Sequence, residues 1–145
     1  MRMRALLLVA GLAVLMPAAP AVADDFYDVR LRVGAEAYRE RRFREAEDNL
    51  RIAAFGFLER PERLTEALAR LALAQAAGSR PGPSDATIAR FLVVERQFGA
   101  YEKVQLEQPA RGEFEELLLR RVTPANLSSF PGLARIRART ATPRP

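Results

Sequence analysis

The chain is 145 residues long, contains no Cys and no His, and carries a formal net charge of +5. These features exclude disulfide staples, thiol chemistry, imidazole catalysis and the usual His/Cys zinc sets. The basic residues are almost all Arg, with Lys103 the single lysine, and most alternate with Glu or Asp. That pattern predicts solvated helix faces, not a one-sided nucleic-acid footprint.

The first segment is Met-Arg-Met-Arg, then an apolar run from Ala5 to Met16, then Ala21-Val22-Ala23 before Asp24. A positive start, a short apolar stretch and a small-residue cleavage pattern predict a cleavable secretory signal over residues 1–23. The run is too short to span about 30 Å of hydrocarbon as a helix. Removing Arg2 and Arg4 with it takes the charge from +5 to +3. No later stretch has the length of a membrane span, so a soluble helical domain is expected over 24–137, with a disordered tail at 138–145. The expected location is the periplasm or the exterior, within a bacterial cell envelope.

Helical periodicity starts at once. Phe26, Val29, Val33 and Ala37 step by three or four, as do Phe43, Ala46, Leu50, Ala53 and Phe57. This predicts two antiparallel helices, about 26–40 and 43–58, with those residues inward. Pro61 suits a helix start, and Leu64, Ala67, Leu68, Leu71 and Ala74 predict a third helix to about Ala77. Gly78 to Pro83 reads as a breaker, with Ser84 capping a fourth helix that turns Ile88, Phe91, Leu92, Val94 and Phe98 inward. Gly99 ends it. A fifth helix is expected over Glu113–Val122, with Phe114, Leu117, Leu118 and Val122 apolar. Thr123-Pro124 predicts a capped short helix over 124–129, and a last turn follows Pro131. No period-two alternation predicts a strand.

The stretch from Val33-Gly34 through Phe43 to Ala46, Leu50 and Ala53 resembles a tetratricopeptide repeat, a helix–turn–helix unit of about 34 residues. Gly34 and Ala46 are small where two helices would cross, and Phe43 plugs the joint. The usual early aromatic and turn glycine are replaced by Arg30 and Arg41. Leu68, Leu71 and Ala72 resemble the opening of a second, degenerate repeat with a turn enlarged by Arg80–Pro83. The resemblance implies an all-α fold of about five helices, a fragment of a right-handed superhelix. Repeat 1 spans about 26–59 and repeat 2 about 61–98, with capping helices at about 109–137.

The resemblance also implies a protein-binding role along the first helices of each repeat. The corresponding residues are Leu31, Ala35, Tyr38, Ala69, Leu73 and Ala76, nearly all apolar. A carboxylate-gripping clamp, which needs Lys, Arg and Asn there, is not expected. Burial of such a face is favourable by about 25 cal/mol per Å², so a filler is expected: the chain's own Phe114, Leu117 and Leu118, a partner's amphipathic helix, or a second copy. No catalytic residue, metal ligand or cofactor is assigned. Walker-type and dinucleotide glycine motifs are missing, and carboxylate groups such as Glu45, Glu47 and Asp48 or Glu113, Glu115 and Glu116 are placed on solvated faces. The expected function is non-enzymatic protein interaction or assembly. The alternative is a purely structural bundle, or a subunit of a larger complex, with the groove filled from within.

Overall fold

The computed structural model describes the backbone of residues 21–133 and Ile136, and the side chains from Phe26 onward. Residues 1–20, most of the expected signal at 1–23, and the expected tail 138–145 lie outside the described residues. Within them the chain is all-helical: α1 (Ala21–Arg39), α2 (Phe43–Gly56), α3 (Pro61–Ala77), α4 (Pro81–Phe98), α5 (Ala110–Arg121) and α6 (Pro124–Ser128). Two 3₁₀ turns, Tyr101–Lys103 and Pro131–Leu133, complete it. None of the described helices is long and apolar enough to cross a membrane.

Consecutive helices pack as neighbours: α1 on α2, α2 on α3, and α3 on α4. The α1–α2 crossing is close because glycine faces bulk from each side. A Cβ on Gly34 would lie 2.6 Å from Leu50 Cγ, and one on Gly56 would lie 2.1 Å from the Tyr27 ring. Neither gap accommodates a methyl group. Ala46, Leu50 and Ala53 of α2 and Phe57 just after it are fully buried, as the spacing predicts, with Phe43 half-buried at the joint.

The α1–α2 and α3–α4 turns have the same construction. In the first, Arg42 N–H donates to Ala37 O at 2.8 Å and Arg41 N–H to Tyr38 O at 3.0 Å. In the second, Arg80 N–H donates to Gln75 O at 2.9 Å and Ser79 N–H to Ala76 O at 3.2 Å. Arg41 (φ 62°) and Ser79 (φ 60°) both take the left-handed conformation that closes a helix C-terminus. Each atom pair in the first turn maps to the second by an offset of 38 residues, from Arg42 to Arg80. The same offset takes buried Ala46 to buried Ser84 and buried Leu50 to buried Ile88.

The second turn is therefore not enlarged. Pro81 and Pro83 belong to the first turn of α4, where N–H groups have no intrahelical acceptor and a missing one costs nothing. Ser84 is no N-cap. Its side chain is buried in the helix and donates to Ala72 O at 3.0 Å, tying α4 to α3.

On α1 the expected stripe is displaced. Ala37 is buried, but Phe26 (46%), Val29 (41%) and Val33 (36%) are exposed. The buried face is the one through Tyr27, Leu31, Gly34 and Tyr38, which meets α2 and α3. Phe98, also expected inside, is 48% exposed at the end of α4. The other positions of α3 to α5 that the spacing turns inward are buried or half-buried.

Beyond α4 the chain turns back. Phe91, Tyr101 and Phe114 form an edge-to-face aromatic cluster, with Phe91 4.8 Å from Phe114 and 5.5 Å from Tyr101 between ring centres. Arg111 stacks 5.1 Å over the Tyr101 ring and donates to Val104 O and Leu106 O at 2.6 and 3.0 Å. These contacts tie α5 to α4 and to the Tyr101 turn, and α5 also packs on α3.

Candidate functional site

The inner face of α1 and α3 carries the six groove residues expected from the sequence, and α5 divides it. At one end, Tyr38, Leu73 and Ala76 line a narrow recess together with Glu113, Glu116 and Leu117 of α5. The Tyr38 hydroxyl donates to Glu113 Oε2 at 2.7 Å. Burial first, and then the Glu113 carboxylate, push the Tyr38 pKa well above the ordinary tyrosine value, so the hydroxyl stays a donor. Leu73 is buried and Ala69 fully so. Leu31 is buried too, and Ala35 is half-buried. The six residues thus do not form one open apolar groove.

At the other end the inner face is open. A cleft of ≈ 910 Å³ runs between α1, α3 and the 105–107 segment. Its apolar floor is Leu31 and Ala35, and its walls carry Arg32, Glu36, Arg63, Glu66, Arg70 and Glu107. A second cavity of ≈ 630 Å³ adjoins it through Arg63, Glu66 and Gln105, and reaches Phe98 and Lys103.

The cleft charges form a ladder across three parts of the fold. Asp28 of α1 accepts from Arg63 at 2.5 Å and pairs with Arg60 at 3.5 Å. Glu66 accepts from Arg63 at 3.1 Å and from Arg70 at 3.0 Å. Arg70 reaches Glu107 at 3.6 Å. Glu66 and Arg70 are buried, so their pairing offsets desolvation that would otherwise disfavour both charges. Such a surface is electrostatically mixed and can meet partner groups of either sign at its exposed Arg32 and Glu36.

Besides Glu66, two further buried carboxylates escape the sequence reading. Glu47, expected on a solvated face, is buried where Arg80 donates to both its oxygens at 3.0 and 2.8 Å. It also pairs with Arg51 and accepts from Gln75 at 3.4 Å. Arg80 belongs to the second turn, so this bond joins the two hairpins. Glu95 is 3% exposed and accepts from Tyr101 N–H at 2.8 Å through Oε2. Its Oε1 has no hydrogen-bond partner among the described residues and lies where Gly132 leaves room. Burial raises the Glu95 pKa, with Glu102 adding to it against two backbone N–H groups that lower it. Burial of Glu47 carried one sequence signal: Arg80 sits at the turn position equivalent to Arg42.

Glu113, Glu115 and Glu116 lie on α5, and Glu113 is committed to Tyr38. Tyr101 Oη donates to Glu115 at 3.4 Å. Glu113 and Glu115 thus dock α5, one on Tyr38 and the other on Tyr101. No known family model matches this sequence, and no curated protein or solved structure does either.

Proposed function

We propose that the protein is a non-enzymatic assembly module of the bacterial cell envelope, exported by its N-terminal signal, that holds a partner segment in the cleft between α1 and α3. The observation that carries this reading is the division of the inner face. Its apolar end is occupied by α5, and its open end is a long cleft with an apolar floor at Leu31 and Ala35 and charged walls. A helix or extended segment with a few apolar anchors and both signs of charge fits such a surface. The absence of His and Cys from the chain supports a binding role over a catalytic one.

We further propose that the two hairpins are tetratricopeptide-like repeats. The common turn and the 38-residue offset support this reading, and the stretch that the offset spans holds the long α3, of 17 residues, where the excess over about 34 residues is accommodated. The purely structural alternative is favoured by one observation, the seating of α5 on Leu73 and Ala76. Photo-crosslinkers placed at Arg32 and at Val93, which is exposed on α4, separate the two. A partner band from Arg32 alone, in envelope fractions, supports the cleft. Equal labelling from both positions, or none from Arg32, favours the structural alternative.

A further inference from the structure

The exposed stripe Phe26, Val29 and Val33 has a counterpart inside the molecule. An offset of 38 residues carries it onto Leu64, Ala67 and Leu71, all buried. The two stripes occupy the same place in hairpins with the same turn. They differ because α3 has another hairpin to pack on, through α2, as well as α4. No hairpin precedes α1 among the described residues. The opposite edge of the fold is closed by its own chain, since α5 and the Tyr101 turn pack on α3.

We infer that the free α1 edge is a homodimer interface, at which α1 of one copy packs on α1 of a second through Phe26 and Val29. A copy adding head-to-tail would meet an edge whose α3 already carries α5 and the Tyr101 turn. A two-fold pairing of the open edges closes the assembly at two. The three-then-four spacing of the stripe is the seam of paired helices. The surface beside it is self-complementary in charge: a cavity of ≈ 620 Å³ carries Arg30 and Arg44 together with Glu45 and Asp48. At its margin Arg30 stacks 4.8 Å over Phe26 and donates to Asn49 at 3.1 Å. Its Nε is buried with no acceptor among the described residues.

The stripe touches the cleft only at Val33, and the residues on which the inference is tested, Phe26 and Val29, do not line it. The test is sedimentation of the protein recovered from cells expressing the full chain, at about 50 μM, well above the micromolar dissociation constants of weak dimers. The parent is expected to sediment as a dimer. Val29→Glu is expected to weaken it at least about tenfold, the equivalent of 1.4 kcal/mol, and F26E/V29E to leave monomer with unchanged helical circular dichroism. Val93→Glu, on exposed α4, is expected to leave the dimer intact. A monomeric parent, or a dimer indifferent to V29E and F26E/V29E, would overturn the inference. So would a dimer dissolved by V93E.

Discussion

The Tyr38 hydroxyl and the Glu113 carboxylate meet at 2.7 Å across 75 residues of chain. Tyr38 closes α1 beside the first turn, and Glu113 opens α5. Their bond sits over Leu73 and Ala76 of α3, so one contact joins the helix that begins the inner face to the helix that covers it. Replacing Tyr38 by Phe removes the donor and keeps the ring packed against Phe43 at 5.8 Å. The expected cost is about 1.5–3 kcal/mol, because the acceptor is charged. A double-mutant cycle with Glu113→Gln, read by urea denaturation, should show coupling of at least about 0.5 kcal/mol. Additive effects would mean that the pair does not hold α5.

The space around two glycines, Gly34 at the α1–α2 crossing and Gly82 in α4, predicts opposite outcomes for Gly→Ala changes. At Gly34 a methyl group collides with Leu50, whereas at Gly82 nothing lies within 4 Å. Gly34→Ala should cost about 1–3 kcal/mol by overpacking, despite the better helix propensity of Ala. Gly82→Ala, in the first turn of α4, should stabilise by a few tenths up to about 1 kcal/mol. Denaturant midpoints of the two variants should move in opposite directions.

The first turn leaves stability unused. Arg41 holds φ 62° without the glycine that such a position favours. Arg41→Gly relieves the clash of Cβ with its own backbone, at about 1–2 kcal/mol, against a smaller loss from the freer unfolded chain. A net gain of about 0.5–1 kcal/mol is expected in thermal or urea melts. Equal or lower stability would show that the Arg41 side chain contributes more than its backbone costs.

Much of this fold is legible from residue spacing. The α2 stripe, the α3 stripe and the Thr123 cap, which accepts from Asn126 N–H at 3.4 Å, all stand where the periodicity puts them. Misreadings arose where small residues or prolines carried the structure. On α1 the large apolar side chains Phe26, Val29 and Val33 outweigh the true inward face, whose Gly34 packs closely because it is small. At α4 a Pro-Gly-Pro run reads as a breaker, yet its prolines occupy a helical turn that needs no N–H donors. Periodicity is also blind to charges buried by distant partners. Glu47 is neutralised by Arg80, 33 residues away, and Glu95 by no cation among the described residues. The expected groove residues were found on the expected helices, but their access depends on α5, whose path no local pattern records.

Glu95 gives a pH dependence of definite sign. Burial raises its pKa, so the folded state favours the protonated carboxyl. Its stabilising contribution is present below the ordinary carboxylate range and is lost as pH rises through the folded value. Thermal melts of the parent should therefore show an added loss of stability from the ordinary carboxylate range upward, and Glu95→Gln should flatten that part of the profile. At neutral pH the variant should be at least as stable as the parent. A variant less stable at neutral pH with an unchanged profile would place the proton elsewhere.

The central claim is that the chain's own α5 occupies the apolar end of the inner face, over Leu73 and Ala76. Ending the chain at Gln108 tests this most directly, with urea stability and light scattering measured beside the full chain. The account predicts a large loss of stability, because buried Phe114, Leu117 and Leu118 leave Leu73, Ala76 and Phe91 uncovered, and concentration-dependent association beyond the parent's oligomeric state. A shortened chain as stable as the parent, with the parent's oligomeric state, would contradict it.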